Sequence, residues 1–173
     1  WSSEIFVSFK DFISNNELDK NIVIDAGCLN LLSENPFKND SWVLTPHIGE
    51  AAKLLNTSKE NIMKDRIDSS KKIQKLYGGI VILKGHETII QTENQTFICG
   101  HGNSSMGTAG MGDCLAGIII SLISLVDKKD YNHAILYAVA IHSLAADNIL
   151  SNQGEIGILA SDVIVEINKL LNA

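Results

Sequence analysis

A glycine-dense segment carries the clearest chemical signal in this chain of 173 residues. It runs from Gly102 to Asp113 and leads directly into an apolar stretch that predicts a helix. Glycines let backbone amides approach a ligand closely, and the N-terminus of a helix adds the positive end of its dipole. Together these features predict an anion hole that holds a phosphoryl group during its transfer.

Asp113 stands where the glycine-rich loop meets the predicted helix. A carboxylate there would repel a bound phosphate if its only role were to cap the helix. As the general base that takes a proton from an attacking hydroxyl, it makes chemical sense. A lone Gly-x-Gly-Asp is a weak signal, so a capped helix after a flexible loop stays open as the alternative.

Two further segments place polar residues at the ends of predicted strands. In Thr45-Pro46-His47-Ile48-Gly49-Glu50 the proline fixes a turn, Gly49 permits tight packing, and His47 lies within reach of a ligand. A histidine without a ligand, and a Glu50 that only complements the helix dipole, are the alternatives. In Lys84-Gly85-His86-Glu87-Thr88 a lysine and a glycine turn suit the phosphate or ribose of a nucleotide. A solvated strand terminus is the alternative there.

The elements that must position these residues alternate between strands and helices. Strands are predicted at 21–25, 42–45 and 80–84, a hairpin at 88–91 and 96–99, and helices at 29–34, 48–55, 57–77, 112–126, 131–150 and 161–171. Thr57 with Glu60 matches a capping box, and Ser161 fits the N-cap of the last helix. The alternation predicts an α/β fold with a mostly parallel sheet and helices on both faces. Ligands bind beyond the carboxyl ends of such strands, where Asp25 and Lys84 fall.

The composition argues against several classes of protein. With a net charge of −6, a nucleic-acid surface is not expected, and the lysines of the 57–77 helix fit a solvated helix face. No apolar run is long enough to span a membrane, and the first ten residues do not resemble a signal peptide. The three cysteines form no pair or metal motif, which favours a reducing compartment, the cytoplasm. His142, among small apolar residues, is expected to be packed in its helix.

Several segments, in this order, resemble the NAD(P)H-hydrate dehydratases of the ribokinase-like superfamily. Residues 45–50 resemble the TPHxGE signature, 84–88 the KGxxT turn and 102–117 the GNxGMAxGGxGDxLxG loop, whose GxGD is common to the superfamily. Residues 25–30, 142–147 and 157–162 resemble the DADALN, HxxAxD and GLxASD segments. The departures, none of which removes a charged or nucleophilic group, are Cys28, Ser105, Gly107 and Ala109.

This resemblance implies a three-layer ribokinase-like fold, with residues 1–173 as the C-terminal portion of a single domain that begins well before this chain. It also implies a reaction. The hydroxyl of NADHX or NADPHX, the hydrates of NADH and NADPH, is phosphorylated by ADP or ATP, then phosphate leaves and the ring double bond returns. Mg²⁺ would bridge the donor phosphates without a dedicated protein ligand. A homo-oligomer without nucleic-acid or membrane partners is expected.

The resemblance also assigns roles to residues. Asp113 would take the hydroxyl proton, while the amides of Gly110, Met111 and Gly112 hold the transferring phosphoryl group. His47 and Asp113 would contact the hydrate. The nucleotide would be bound by the segment Lys84, Gly85, His86, Glu87 and Thr88, together with Gly112.

Two alternatives remain at this point. A small-molecule kinase of the same superfamily, acting on a thiamin precursor or a sugar, would use Asp113 and its loop in the same way. The Thr45-Pro-His47 segment argues against it. A nucleotide-binding module without catalysis is the other alternative, against which the intact Asp113 and Lys84 argue.

Overall fold

The structure, a computed structural model, describes residues 3–15 and 21–172, which divide into two compact units. The first unit comprises the chain as far as Leu83 together with Gln91–Gln95. The second comprises Lys84–Ile90 and the chain from Thr96 onward. Each unit has its own packed elements and its own set of candidate residues.

The first unit is built on three parallel strands with helices between them. Its elements are α1 (Ser3–Asn15), β1 (Ile22–Ile24), α2 (Gly27–Glu34), β2 (Trp42–Leu44), α3 (Ile48–Leu54), α4 (Lys59–Lys64), α5 (Arg66–Tyr77) and β3 (Ile80–Leu83). The order is β1-β2-β3, and Leu44 of β2 stands opposite Ile24 on one side and Val81 on the other. The predicted parallel strands are confirmed, each slightly shorter than expected, whereas α1 was not predicted.

Two large aromatic side chains anchor the core of the first unit. Trp42 and Tyr77 are each 1% exposed, and each uses its polar atom on a backbone carbonyl. The indole Nε1 donates to the carbonyl of Tyr77 at 3.0 Å, and the Tyr77 hydroxyl donates to that of Leu54 at 2.9 Å. Because both polar atoms are satisfied, the rings can be buried without the cost of an unpaired donor.

Two local predictions in this part of the sequence, the continuous helix over 57–77 and its cap at Thr57, are wrong, as is the cap predicted at Ser161. The single helix expected over 57–77 is two helices, and it is Ser58, not Thr57, that caps α4. Asp65 separates the two helices, and its side chain caps α5 by accepting from the Asp68 N–H at 2.8 Å. The competing cap at Asp65 therefore outweighs the continuous helical pattern.

The second unit contains the hairpin and the apolar helices. Its elements are β4 (Thr88–Gln91, whose last residue belongs to the first unit), β5 (Thr96–Cys99), a 3₁₀ turn (Ser104–Gly107), α6 (Met111–Ile123), a 3₁₀ turn (Lys128–Asp130), α7 (Tyr131–Gln153) and α8 (Ala160–Leu171). The predicted hairpin is confirmed, with the Thr92 N–H donating to the Gln95 carbonyl at 2.9 Å. Ser161 lies inside α8, and the N–H of Leu159 at its N-cap is bound by Asp162 instead.

The core of the second unit lies where α6, α7 and α8 pack together. Met111 and Cys114 of α6, Ile141 and Ala145 of α7, and Val163 of α8 belong to one buried cluster. Although no uninterrupted apolar run was expected to span a membrane, within the described part of the chain the second 3₁₀ turn and α7 together, over Lys128–Gln153, are long and apolar enough to do so by length and mean composition. Half of their apolar window is buried inside the protein, and the core helix of a globular protein has the same features.

Candidate active site

The N-terminus of α6 presents backbone amides that nothing else in the described residues binds. Its N-cap is Gly110, in a left-handed conformation with φ 88°, and no side chain caps the helix. The N–H groups of Gly112 and Asp113 have no hydrogen-bond partner among the described residues. Unbound N–H groups at a helix N-terminus form an anion site. Of the amides expected to form the anion hole at Gly110, Met111 and Gly112, that of Gly112 is unbound, whereas the Met111 N–H donates to the Thr108 carbonyl at 3.4 Å.

Glycine is required at position 110 for two reasons. A φ of 88° is strained for a residue with a Cβ atom, and an added Cβ would lie 3.3 Å from the Cβ of Ala160. Ala160 is the first residue of α8. The backbone conformation and the close approach of this helix therefore both favour glycine at the N-cap of α6.

Asp113 lies in the first turn of α6 with its side chain exposed. Met111, Cys114 and Leu115 turn into the core and fix which face of the helix is outward. Across the described residues, no side chain forms a hydrogen bond or an ion pair with the Asp113 carboxylate. An unpaired carboxylate beside an unbound row of amides is available to accept a proton from a bound hydroxyl.

The loop that precedes α6 is held by side-chain hydrogen bonds. Asn103 caps the 3₁₀ turn, with its Oδ1 accepting from the Ser105 N–H at 3.1 Å and from the Ser105 hydroxyl. Thr108 donates from its hydroxyl to the Ser105 carbonyl at 2.9 Å. Asp147 of α7 accepts from the Gly102 N–H at 3.0 Å and from Asn103 Nδ2 at 2.9 Å. The loop is an ordered turn with a carboxylate at its base.

His142 of α7 is buried behind the start of α6, as the sequence predicted for a packed residue. It is 3% exposed, and its ring forms a hydrogen bond with the backbone of Met111. The Nε2 atom has no partner among the described residues. Burial lowers the pKa of His142 from 6.5 to about 4, although the bond to Met111 opposes the shift. The imidazole is therefore neutral near neutral pH.

The expected nucleotide segment forms the turn between β3 and β4. Lys84 is half-buried directly after β3, while Gly85, His86 and Glu87 are exposed. Glu87 has a φ of 57°, and the Thr88 hydroxyl donates to the Gly85 carbonyl at 3.2 Å. A non-glycine residue held at positive φ often marks a turn whose shape serves a ligand.

His47 belongs to the first unit, where its side chain caps the N-terminus of α3. Its Nδ1 accepts from the N–H groups of Gly49 at 2.9 Å and Glu50 at 3.2 Å, while Glu50 accepts from the His47 N–H at 2.8 Å. Because Nδ1 accepts, the neutral ring carries its proton on Nε2. The side chain is 59% exposed, and its Nε2 lies 3.5 Å from Oε1 of Glu50, so a ligand that reaches this Nε2–H donor lies beside that carboxylate.

The ends of β1 and β2 lie side by side in the same unit. The Thr45 N–H donates to the Ile24 carbonyl at 3.1 Å, which leaves Asp25 and Thr45 next to each other where the two strands end. Ala26, which follows, has a φ of 49° and a ψ of −122°. Strained backbone of this kind is concentrated at ligand sites, and no sequence pattern singled this alanine out.

The sequence reasoning also assigned no role to Asp147 or Asn103, which organise the glycine-rich loop. The HxxAxD resemblance at 142–147 was the signal that could have indicated them. In the described ranges, no three His, Cys, Asp or Glu side chains are grouped to hold a metal ion.

Sequence comparison connects this chain with the NAD(P)H-hydrate dehydratases. The sequence model of the NAD(P)H-hydrate dehydratase family matches residues 7–169. A bifunctional NAD(P)H-hydrate repair enzyme from Coxiella burnetii is 41% identical over 157 residues, which cover 90% of this chain and 32% of that protein. An ADP-dependent (S)-NAD(P)H-hydrate dehydratase from Neisseria meningitidis is 35% identical over 159 residues, covering 87% of this chain and 53% of that protein. The chain thus spans about a third to a half of these curated relatives' lengths.

Solved structures show the same fold. A ribokinase-like superfamily protein from Enterococcus faecalis superposes with a TM-score of 0.82 at 25% identity, over 98% of this chain and 57% of that one. An ADP/ATP-dependent NAD(P)H-hydrate dehydratase from Bacillus subtilis, co-crystallised with ATP and Mg²⁺, gives 0.78 at 24% identity, over 89% of this chain and 55% of that one. The predicted ribokinase-like α/β fold is confirmed.

Proposed function

The chain belongs to the NAD(P)H-hydrate dehydratase family, and we propose that the protein of which it is part dehydrates NADHX or NADPHX at the expense of a nucleotide. The observation that carries this proposal is the unpaired Asp113 carboxylate beside the unbound amides at the start of α6. This arrangement combines a proton acceptor with a site for the group that is transferred.

In the proposed reaction the hydrate hydroxyl attacks the terminal phosphorus of the nucleotide. Asp113 takes the hydroxyl proton as the new O–P bond forms and the bond to the leaving nucleotide breaks. The amides of Gly110, Met111 and Gly112 stabilise the charge on the equatorial oxygens of the phosphoryl group. The C–O bond of the phosphorylated intermediate then breaks, inorganic phosphate leaves, and the adjacent ring carbon loses a proton to solvent, which restores the ring double bond.

The remaining predicted residues bind and orient the two substrates. Lys84, in the turn after β3, offers a positive charge to the phosphates of the donor, and the exposed backbone of Gly85 to Glu87 offers polar groups. The Nε2–H of His47 donates a hydrogen bond to the hydrate, a role for which the Nδ1 contacts fix its tautomer. ADP and ATP are both proposed donors, because the Neisseria meningitidis relative is ADP-dependent and the Bacillus subtilis protein is ADP/ATP-dependent. Mg²⁺ shields the donor phosphates when it is bound.

The test follows the absorbance of reduced nicotinamide in the complete protein supplied with hydrated NADH and Mg²⁺. A rise that requires ADP or ATP is the expected result, and adding each in turn identifies the donor. Asp113→Asn should keep its affinity for the nucleotide and lose about 10²–10⁴-fold in turnover, the usual effect of removing a general base.

Two results would count against the proposal. Near-normal turnover by Asp113→Asn would show that this carboxylate is not the base. A stable phosphorylated product without any reduced nicotinamide would identify a small-molecule kinase instead.

A further inference from the structure

We propose that Asp147 is a positioning residue that sets where the anion-hole amides lie, although it is far from them in the sequence and does not contact them. The proposal rests on the proposed function only for its effect on turnover. Asp147 lies on α7, and it contacts the beginning of the glycine-rich loop rather than its end. Its effect on the start of α6 is carried by hydrogen bonds along the loop.

The beginning of the glycine-rich loop is attached to α7 through Asp147. The two carboxylate oxygens of Asp147 divide their partners, since Oδ2 accepts from the Gly102 N–H and Oδ1 accepts from Asn103 Nδ2. His101 Nδ1 lies 3.4 Å from Oδ2. Hydrogen bonds to a carboxylate are about twice as strong as neutral ones. The side chain of Asp147 is only 31% exposed, which limits the competition from water.

A series of hydrogen bonds connects Asn103 with the start of α6. Asn103 Oδ1 binds the Ser105 N–H, and the Ser105 carbonyl accepts from both the N–H and the hydroxyl of Thr108. The Thr108 carbonyl in turn accepts from the N–H of Met111 at 3.4 Å. Every link joins one turn to the next, so a displacement of Asn103 shifts the residues that form the anion hole.

The far end of the loop is also attached to α7. His142 is five positions before Asp147 on α7 and forms its hydrogen bond with the backbone of Met111. The loop is therefore attached to α7 both where it begins and where it ends. Since α7 packs against α6 and α8 in the core of this unit, it provides a rigid support for both attachments.

Asp147→Asn in the complete protein tests the proposal because it changes the hydrogen bonding and not the shape. An amide at this position places a donor against either Asn103 Nδ2 or the Gly102 N–H, so one bond is lost. We expect kcat to fall about 10–100-fold, the effect of a misplacement on the order of 1 Å. The KM for the nucleotide should change less than kcat, since Asp147 does not contact the Lys84–Thr88 turn and acts only on Gly112 among the expected nucleotide contacts.

Hydrogen exchange provides a readout that does not depend on activity. The amides of Gly102, Ser105 and Thr108 should exchange faster in Asp147→Asn, because each is bound along the proposed path. The exchanged pair Asn103→Asp with Asp147→Asn restores the donor and acceptor pattern, with the amide of residue 147 donating to the carboxylate of residue 103. Both kcat and the slow exchange should return in this double variant.

Glu166→Gln is the matched control. It makes the same carboxylate-to-amide change at a residue of α8 that accepts from Asn148 of α7 and from Lys169. It does not touch the loop, so kcat and the loop amides should be unaffected. If Asp147→Asn does not fold, Asn103→Ala interrupts the same path from the loop side and is tested by the same measurements.

Three results would overturn the proposal: unchanged exchange of the loop amides in Asp147→Asn, an equal fall in kcat in Glu166→Gln, or no recovery in the exchanged pair. A wild-type protein that does not act on the hydrate would refute the proposed function instead. The exchange data would still decide whether Asp147 orders the loop, and turnover would then be followed as phosphoryl transfer from the nucleotide.

Discussion

Gly49→Ala should separate activity from stability, because Gly49 lies directly against the imidazole of His47. A Cβ atom added there would lie 2.9 Å from Cε1 of His47 and 3.2 Å from its Nδ1. Carbon atoms normally approach to about 3.5–4.0 Å, so the ring must move. His47 is the N-cap of α3, so moving its ring weakens the hydrogen bonds that Nδ1 accepts from the N–H groups of Gly49 and Glu50.

Two terms of similar size then oppose each other in the free energy of unfolding. Losing an N-cap interaction costs about 1 kcal/mol, whereas replacing glycine by alanine within a helix gains about 1 kcal/mol. We therefore expect little change in Tm. The position of the His47 Nε2–H does change, so kcat/KM for the hydrate should fall, mainly through a higher KM.

A double-mutant cycle with His47→Ala makes this test decisive. Without the imidazole, Gly49→Ala displaces only the flexible end of the Lys59 side chain, whose Cε would lie 3.2 Å from the added Cβ. The substitution should then raise the free energy of unfolding by about 1 kcal/mol and leave the remaining activity unchanged. The measurements are thermal unfolding and the steady-state rate with hydrated NADH for all four proteins. An equal loss of activity from Gly49→Ala with and without His47 would refute the reasoning.

Three further changes test other parts of the structure. Lys84→Ala should raise the KM for the nucleotide, and an unchanged KM would argue against its role at the donor phosphates. Ala26→Gly should raise the free energy of unfolding by about 1 kcal/mol, because glycine relieves the strain at φ 49°. Ala51→Gly in α3, its control in chemical denaturation, should be destabilising by about that amount. Stability should fall by about 3 kcal/mol as the pH drops from 6.5 to about 4, since the unfolded chain protonates His142 first, and His142→Phe should abolish this part of the pH dependence.

The sign of that pH effect follows from the direction of the shift. The pKa of His142 is lower in the folded protein than in the unfolded chain, so protons bind preferentially to the unfolded state. The stabilisation is complete above 6.5 and is lost as the pH falls toward the folded value of about 4. A denaturation midpoint in the wild-type protein that did not fall over this range would contradict the buried, neutral state of His142.

Local sequence determined those features whose causes are also local. The parallel strands follow from short β-branched runs, the hairpin from its four-residue turn, and the start of α6 from a glycine-rich stretch that cannot continue as helix or strand. The chemistry expected of Asp113 depends on a carboxylate that follows directly after the anion-hole glycine, and this adjacency is visible in the sequence. The family could be identified from the same segments.

Tertiary structure decided the contacts between residues distant in sequence and the competition between local signals. Asp147 is 44 positions from Asn103, and no periodicity indicates that a mid-helix carboxylate binds the base of a loop. The helix break at Asp65 reflects a side-chain cap that competes with a continuous helix, and the cap at His47 depends on where the fold places its imidazole. The strain at Ala26 persists because the paired ends of β1 and β2 over-determine the backbone there. Packing alone selects among such alternatives, since their local free energies differ by only about 1 kcal/mol.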